Sequence, residues 1–376
     1  MNQLLCGDAL TVLRTLPDAA VHCVVTSPPY WGLRDYGVSG QLGLEDTPEE
    51  YLAKMVEVFR EVRRVLRRDG VAFVNMGDAY RGKQLLGMPW RLALALQADD
   101  WYLRSAIVWH KPAPQPESVI DRPTTSHEHV FLLSQRPRYF YDAEAIKEPV
   151  LDATIARLGQ PGFEAQTGGP KDPKTGNRSE RRTLEHLNER YSKEGVWVDR
   201  HKEYAETARP TRNARTVWTI ATEPFSGDHF AAFPTELARR CIAAGTSLRG
   251  CCAACGAPWR RIVQHTTTVM KLSERGEAKR AAGLRRATDG TMIAPAETVT
   301  LGWERTCRHE GDPVPCVVLD PFVGSGTVAL VASRMGREYI GIDINPKYIE
   351  MTRRRLAAEM PLFTGEGEGD EHATSR

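Results

Sequence analysis

Asp320-Pro-Phe-Val-Gly-Ser-Gly-Thr327 is the stretch that decides the fold. An apolar run, Val317 to Asp320, precedes it, a helical pattern continues to about Met335, and a second apolar run, Tyr339 to Asp343, follows. Strand, glycine-rich turn, helix and strand make one βαβ unit. In such a unit Gly324 and Gly326 let the backbone turn tightly and approach a ligand, and a carboxylate at each strand end, Asp320 and Asp343, faces the same crevice. The run lacks the third glycine of a dinucleotide fingerprint and the lysine of a P-loop, so a pyrophosphate is a poor match. A ligand with a cationic amino group and a ribose suits two strand-end acids better. S-adenosylmethionine (AdoMet) has both.

The same alternation recurs at the other end of the chain. Val21 to Thr26 (VHCVVT) reads as a buried strand broken by Pro28-Pro29. From Pro48 to Arg68, Tyr51, Leu52, Met55, Val58, Phe59, Val62, Val65 and Leu66 recur at helical spacing, and Asp69-Gly70 is the expected helix stop. Val71 to Met76, Ile107 to Trp109 and His129 to Leu133 read as further strands. The pattern predicts an α/β fold with a mainly parallel sheet covered by helices.

Composition sets the limits. The 376 residues carry 50 Lys and Arg against 48 Asp and Glu, a net charge of +2, which excludes a histone-like partner but not local basic patches. No run of about 18 apolar residues predicts a membrane span, and the N-terminus lacks the pattern of a secretory signal. A cytoplasmic setting follows, in which the eight cysteines stay reduced and are buried or bind metal.

Thr26-Ser27-Pro28-Pro29-Tyr30 carries the second chemical signal. The exocyclic amine of a nucleobase delocalises its lone pair into the ring and is a weak nucleophile. Two acceptors for its hydrogens, a hydroxyl and a backbone carbonyl fixed by consecutive prolines, pull the nitrogen toward tetrahedral geometry. The ring of Tyr30 offers a stacking face for a base swung out of the duplex. Pro315-Cys316 superficially offers a C5-type cysteine nucleophile, but it lies ahead of Asp320 at the start of that strand and reads as a packed residue, as do Cys6, Cys23 and Cys241.

Cys252-Ala-Ala-Cys255-Gly is a knuckle-like pair, and Cys307-Arg-His309 offers a second after an intervening 256–306 segment. Together they compose a Cys3His set for structural Zn2+, with reduced, unliganded thiols as the alternative. Ten basic residues (Arg260, Arg261, Lys271, Arg275, Lys279, Arg280, Arg285, Arg286, Arg305, Arg308) outnumber five acids between 256 and 308, and Arg178, Arg181, Arg182, Arg209, Arg212 and Arg215 mark the polar stretch before it. Such residues contact DNA phosphates or form a solvated face.

With Ser-Pro-Pro-Tyr first and the Asp320–Thr327 turn last, the chain resembles the β class of DNA amino-methyltransferases from residue 2 to about 355. The resemblance implies a circularly permuted Rossmann-like AdoMet-dependent sheet, the strand near Leu4 lying beside Tyr339 to Asp343. It implies that Asp8, in Cys6-Gly7-Asp8, meets the adenine of AdoMet, and that Pro321, Phe322, Ser325 and Thr327 belong to the cofactor turn. Glu57 to Gly70 and Trp109-His110-Lys111 resemble the surroundings of the target-base pocket. His229 to Leu237, with Phe233 and Pro234, resembles the motif whose helix N-terminus helps bind the methionine part of AdoMet; Phe233 stands where many adenine-modifying relatives carry Lys. Ser before Pro-Pro implies cytosine N4 as the target; adenine N6 is the alternative. A zinc-containing DNA-binding protein without catalysis and a methyltransferase acting on RNA or protein amides are the readings from other classes.

The implied organisation is a catalytic half (1–145), a target-recognition insertion (146–222), an AdoMet-contacting segment (223–250), a zinc-binding basic insertion (251–312), an AdoMet-binding half (313–362) and a disordered tail (363–376). Double-stranded DNA is the expected partner, with a separately encoded restriction endonuclease as a second and no membrane.

Overall fold

One ladder joins the two ends of the chain. In the computed structural model β1 (Gln3–Cys6) runs parallel to β8 (Glu338–Asp343), Gln3 opposite Ile340 and Cys6 opposite Asp343, and the Gly7 amide donates to the Asp343 carbonyl at 2.9 Å. The structure describes residues 2–35, 37–149, 211–223, 233–266, 269–270, 285–286, 292–293 and 297–359. The expected tail, residues 229–232 of the His229 motif, and Arg178, Arg181, Arg182, Arg209, Lys271, Arg275, Lys279 and Arg280 lie outside them.

The remaining strands are β2 (Val21–Thr26), β3 (Leu66–Met76), β4 (Tyr102–His110), β5 (His127–Ser134), β6 (Val217–Thr219) and β7 (Val317–Asp320). They form an eight-stranded sheet of order β1-β8-β7-β2-β3-β5-β4-β6. Every neighbouring pair is parallel except the two made by β5, which is antiparallel to β3 and β4. The centre of the sheet is apolar on both faces, and β2 is buried over its whole length, as a parallel strand between helical layers must be.

Helices α1 (Ala9–Leu13), α2 (Pro48–Val65) and α3 (Met88–Ala98) contribute to one core with Val24, Ala72, Val74, Leu319 and Ile342 of the sheet. On the other face α4 (Thr235–Gly245) presses so closely that a Cβ on Gly245 would sit 2.5 Å from the Cys23 sulfur. Helices α5 (Thr327–Arg334) and α6 (Pro346–Glu359) complete the cover, with Leu330, Ile349 and Leu356 packed against Val323 and Leu4.

Helix α2 shows how the sequence builds its elements. Thr47 caps it by accepting from the Glu50 amide at 3.2 Å, Pro48 opens it, and Glu49 and Glu50 sit at the positive end of its dipole. Tyr51, Met55, Val58, Phe59, Val62 and Val65 are buried at the predicted spacing. Its end differs from expectation. The helix stops at Val65, and Leu66 to Gly70 already belong to β3. Leu66 is drawn into pairing with Val21 and is buried, so strand pairing overrides the helical periodicity and the Asp69-Gly70 stop lies inside the strand. Arg64, at the last turn, donates to the carbonyls of Leu13 and Leu16, both at 2.8 Å, tying α2 to the end of α1.

The chain divides into two units. The first comprises residues 1–146, 215–260 and 303–376 and holds the sheet; the second comprises 147–214 and 261–302. In the second, Glu148–Pro149 pairs with Thr211–Arg212, and Met292–Ile293 pairs with both Val269–Met270 and Arg285–Arg286. Among the described residues no helix is long and apolar enough to cross a membrane.

Candidate active site

The parallel strands β1, β2, β3, β7 and β8 all end at one cavity of about 820 Å³ within the first unit. Ligands bind at this edge of open α/β sheets, because each strand delivers its next residues there. Asp8 follows β1, Ser27 follows β2, Asp78 follows β3, and Asp320 and Asp343 end β7 and β8; all five line the cavity.

At one end the wall is acidic. Asp320 is 3% exposed; its Oδ1 accepts from the Thr26 hydroxyl at 2.6 Å and the Phe322 amide at 3.1 Å. Both partners are neutral, and burial, with the nearby Asp343 charge, pushes the Asp320 carboxyl up to about 7. Asp343 accepts from the amides of Gly324 at 3.0 Å and Asn345 at 2.8 Å, and burial raises it as well. Asp8 caps α1 through Oδ1, taking the amide and hydroxyl of Thr11 at 2.9 and 2.8 Å. Pro321, Phe322, Gly324, Ser325, Thr327 and Phe233 share this lining.

Two residues expected at the cofactor site, Gly326 and Pro234, do not line this cavity. Gly326, with φ of +79°, does not line the cavity; a Cβ there would meet Thr352 of α6 at 2.5 Å, so the glycine serves the turn and close packing. Pro234 is the N-cap of α4 and also stays out of the wall. The N-terminus of α4 is itself engaged. The amide and hydroxyl of Thr235 both donate to Glu223, at 3.1 and 2.7 Å, so a carboxylate of the chain satisfies the helix end that was expected to meet the cofactor.

The other end is built around Ser27-Pro28-Pro29-Tyr30, all of which line the cavity. Tyr51 donates to the Pro29 carbonyl at 2.8 Å, which pins the proline turn to α2. Ser27 Oγ lies 3.2 Å from the Tyr30 hydroxyl, which lies 2.9 Å from Glu128 Oε2. Asn75 Nδ2 donates to Glu128 at 2.7 Å and to the Tyr30 oxygen at 3.2 Å, and Lys111 Nζ pairs with Glu128 Oε1 at 2.5 Å.

Valence fixes the direction of this chain. A carboxylate can only accept, so Tyr30 gives its single proton to Glu128. The Tyr30 oxygen then receives protons from the Asn75 amide and from Ser27. The Ser27 proton is thereby spent inside the protein, and its oxygen meets the cavity as an acceptor. Burial, reinforced by Glu128, keeps the Tyr30 phenol well above its ordinary pKa and so protonated.

Asn75 and Glu128 belong to neither sequence motif. A signal was present: Asn75 interrupts the apolar run Val71 to Met76, and Glu128 sits between His127 and His129 at the head of β5, both 15% exposed or less. A polar group at a buried strand position needs a partner, and the two supply each other. Cys316 is fully buried at the entry to β7 and away from the cavity, as a packing residue. Cys252, Cys255, Cys307 and His309 converge outside the cavity.

A model of the DNA methylase family matches residues 21–252 and 311–354. The Type II methyltransferase M.Cfr9I of Citrobacter freundii is 35% identical over 382 residues, spanning 94% of this chain and 87% of the relative. M.SmaI of Serratia marcescens, also a Type II methyltransferase, is 32% identical over 94% of this chain and 90% of its own length. The solved PvuII DNA methyltransferase (cytosine-N4-specific) shares the fold at a TM-score of 0.52 and 16% identity, covering 94% of this chain and 86% of that one. The acid-lined cavity at the strand ends thus sits on an AdoMet-methyltransferase sheet of Rossmann type. The chain belongs to the DNA methylase family.

Proposed function

We propose that the chain transfers a methyl group from AdoMet to the exocyclic N4 amine of a cytosine swung out of double-stranded DNA. The observation that carries this reading is the forced direction of the Ser27–Tyr30–Glu128 chain, which leaves the Ser27 oxygen as an acceptor. An amine hydrogen is what an acceptor at this position recognises; a carbon nucleophile target such as cytosine C5 offers none. Ser27 at the head of the motif, where adenine-modifying relatives tend to carry Asp, favours cytosine over adenine.

The donor set fits AdoMet. A buried carboxyl with only neutral partners, Asp320, suits a cationic amino group, and Asp343, held by two amides, suits ribose hydroxyls. When bound, AdoMet supplies an electrophilic methyl group. Asp320, Asp343 and Asp8 hold it, and Phe233 and Phe322 shield it from water. Ser27 Oγ and the Pro28 carbonyl accept the two amine hydrogens and raise electron density on nitrogen, while the Tyr30 ring stacks on the base. As the N–C bond forms, the methyl's bond to the AdoMet sulfur would break and leave its electron pair on the sulfur of S-adenosylhomocysteine. One amine proton passes to Ser27 Oγ, the serine proton to Tyr30 and the tyrosine proton to Glu128, so each oxygen ends with its proper valence. Lys111, 4.6 Å from the Trp109 ring centroid, holds Glu128 in place.

Residues 146–222 and the basic stretch within 251–312 carry sequence recognition, and a separately encoded endonuclease reading the same site is the matching partner. Nucleoside analysis of double-stranded DNA treated with the purified chain and labelled AdoMet tests the reading. Labelled N4-methylcytosine is the expected product. Label in N6-methyladenine would replace the base, and label in 5-methylcytosine would overturn the mechanism.

A further inference from the structure

The Cys252–His309 cluster lies outside the catalytic cavity, and the methyl-transfer chemistry makes no use of it. Cys252, Cys255, Cys307 and His309 each present one ligand atom, and the four atoms all lie within 4.8 Å of one another. Ligands on one tetrahedral zinc, with Zn–S near 2.3 Å, stand about 3.8 Å apart, so small side-chain movements suffice. All four residues belong to the first unit, although 51 residues separate the two pairs in sequence.

The backbone around them is already that of a knuckle. The Gly256 amide donates to the Cys252 carbonyl at 2.7 Å, and Gly256 holds φ of +67°, the left-handed turn that lets the chain double back after a Cys-x-x-Cys pair. The Cys252 amide returns to the Ala257 carbonyl at 2.9 Å. Thr306, just ahead of Cys307, donates its hydroxyl to the Pro258 carbonyl at 2.7 Å, and Arg305 lies 5.2 Å over the Trp259 ring. These contacts bring the second pair to the first without help from a bridging sulfur; all eight cysteines are free thiols.

The knuckle is docked on the sheet. Arg67 of β3 donates to the Cys255 carbonyl at 2.5 Å, and His22 of β2 lies 2.9 Å from the Gly256 carbonyl. The Val317 amide donates to His22 Nδ1 at 3.0 Å, which fixes the tautomer with the proton on Nε2. His22 thus spends both nitrogens on the backbone. That decides between two clusters: His22, Cys251 and Cys316 also converge, but their histidine has no free lone pair for a metal.

We propose that Cys252, Cys255, Cys307 and His309 bind one structural zinc ion that clips the two ends of the 256–306 segment to the sheet beneath Arg67 and His22. Four protein ligands leave no open position for substrate, so the ion has no part in the chemistry. This assignment stands whether or not the methyl-transfer reading holds, because its readout is metal content.

The test is elemental analysis of the full chain purified without chelator. About one zinc per chain is expected, and cobalt substitution should give the intense visible bands of a tetrahedral thiolate site. Cys252→Ser with Cys307→Ser should fall below a tenth of an equivalent, whereas His309→Cys, which keeps four ligands, should retain about one and alter the cobalt spectrum. Less than a tenth of an equivalent in the wild-type chain, with native circular dichroism and AdoMet binding, would overturn the proposal. So would zinc that survives the double substitution but is lost from Cys251→Ser with Cys316→Ser, since that would place the ion at His22.

Discussion

The two ends of the cavity handle buried acid in opposite ways. Around Asp320 and Asp343 the partners are backbone amides and a threonine hydroxyl, so the carboxyls sit above their ordinary pKa and wait for charge from a ligand. Around Glu128 the countercharge is built in, with Lys111 at 2.5 Å and Asn75 at 2.7 Å. The first end is arranged for binding and the second for orientation. A residue at the cofactor end should therefore govern affinity, and one at the catalytic end should govern rate.

Substitutions that separate rate from affinity sharpen this contrast. The largest effect is expected for Ser27→Ala, which removes an acceptor needed only as the amine reacts. Loss of one oriented partner of this kind costs about 2–4 kcal/mol, or roughly 30- to 1000-fold in single-turnover transfer, with AdoMet affinity by calorimetry changed less than about twofold. Tyr30→Phe keeps the stacking ring and deletes the hydroxyl between Ser27 and Glu128. A bond to a charged group is worth about 1.5–3 kcal/mol, so transfer should slow at least about tenfold while binding of DNA containing the target base stays near wild type. If transfer is unaffected, the proton route through Tyr30 is wrong even though Ser27 stands.

At the cofactor end, Asp320→Asn should weaken AdoMet about tenfold or more, since it removes a charge-assisted contact to the amino group. The same residue sets a pH dependence. Its folded pKa lies above the ordinary carboxylate value, so protonated Asp320 favours the ligand-free folded chain, and that contribution is lost as pH rises through about 7. A cationic ligand prefers the ionised form. AdoMet affinity should then fall by up to about tenfold per pH unit below 7 and level off above it, and Asp320→Asn should flatten the profile. Asp343→Asn is expected to have the smallest effect, a few-fold loss in AdoMet affinity, because hydroxyls lose weaker bonds.

The cofactor end was far more legible in the sequence than the catalytic end. The βαβ unit from Val317 to Asp343 is local, its strand ends and turn lie within 27 residues, and the structure forms it where the periodicity placed it. Even there, sequence could not separate Gly324, which lines the cavity and donates to Asp343, from Gly326, which makes the turn and leaves room for Thr352. The catalytic end draws Ser27, Asn75, Lys111 and Glu128 from four separate segments, so its hydrogen-bond chain exists only after β3, β4 and β5 pair. The end of α2 departs from its periodicity for the same reason: Leu66 obeys its partner Val21 across the sheet rather than its neighbours in the helix.

The division of labour between the two ends is tested most directly by single-turnover methyl transfer by Asp320→Asn as AdoMet is raised to saturation. If Asp320 only binds, the rate should climb to within about threefold of wild type once the weakened site is filled, while Ser27→Ala remains slow at every AdoMet concentration. A saturated Asp320→Asn chain that stays as slow as Ser27→Ala would contradict the account, because the cofactor end would then be acting on the chemical step itself.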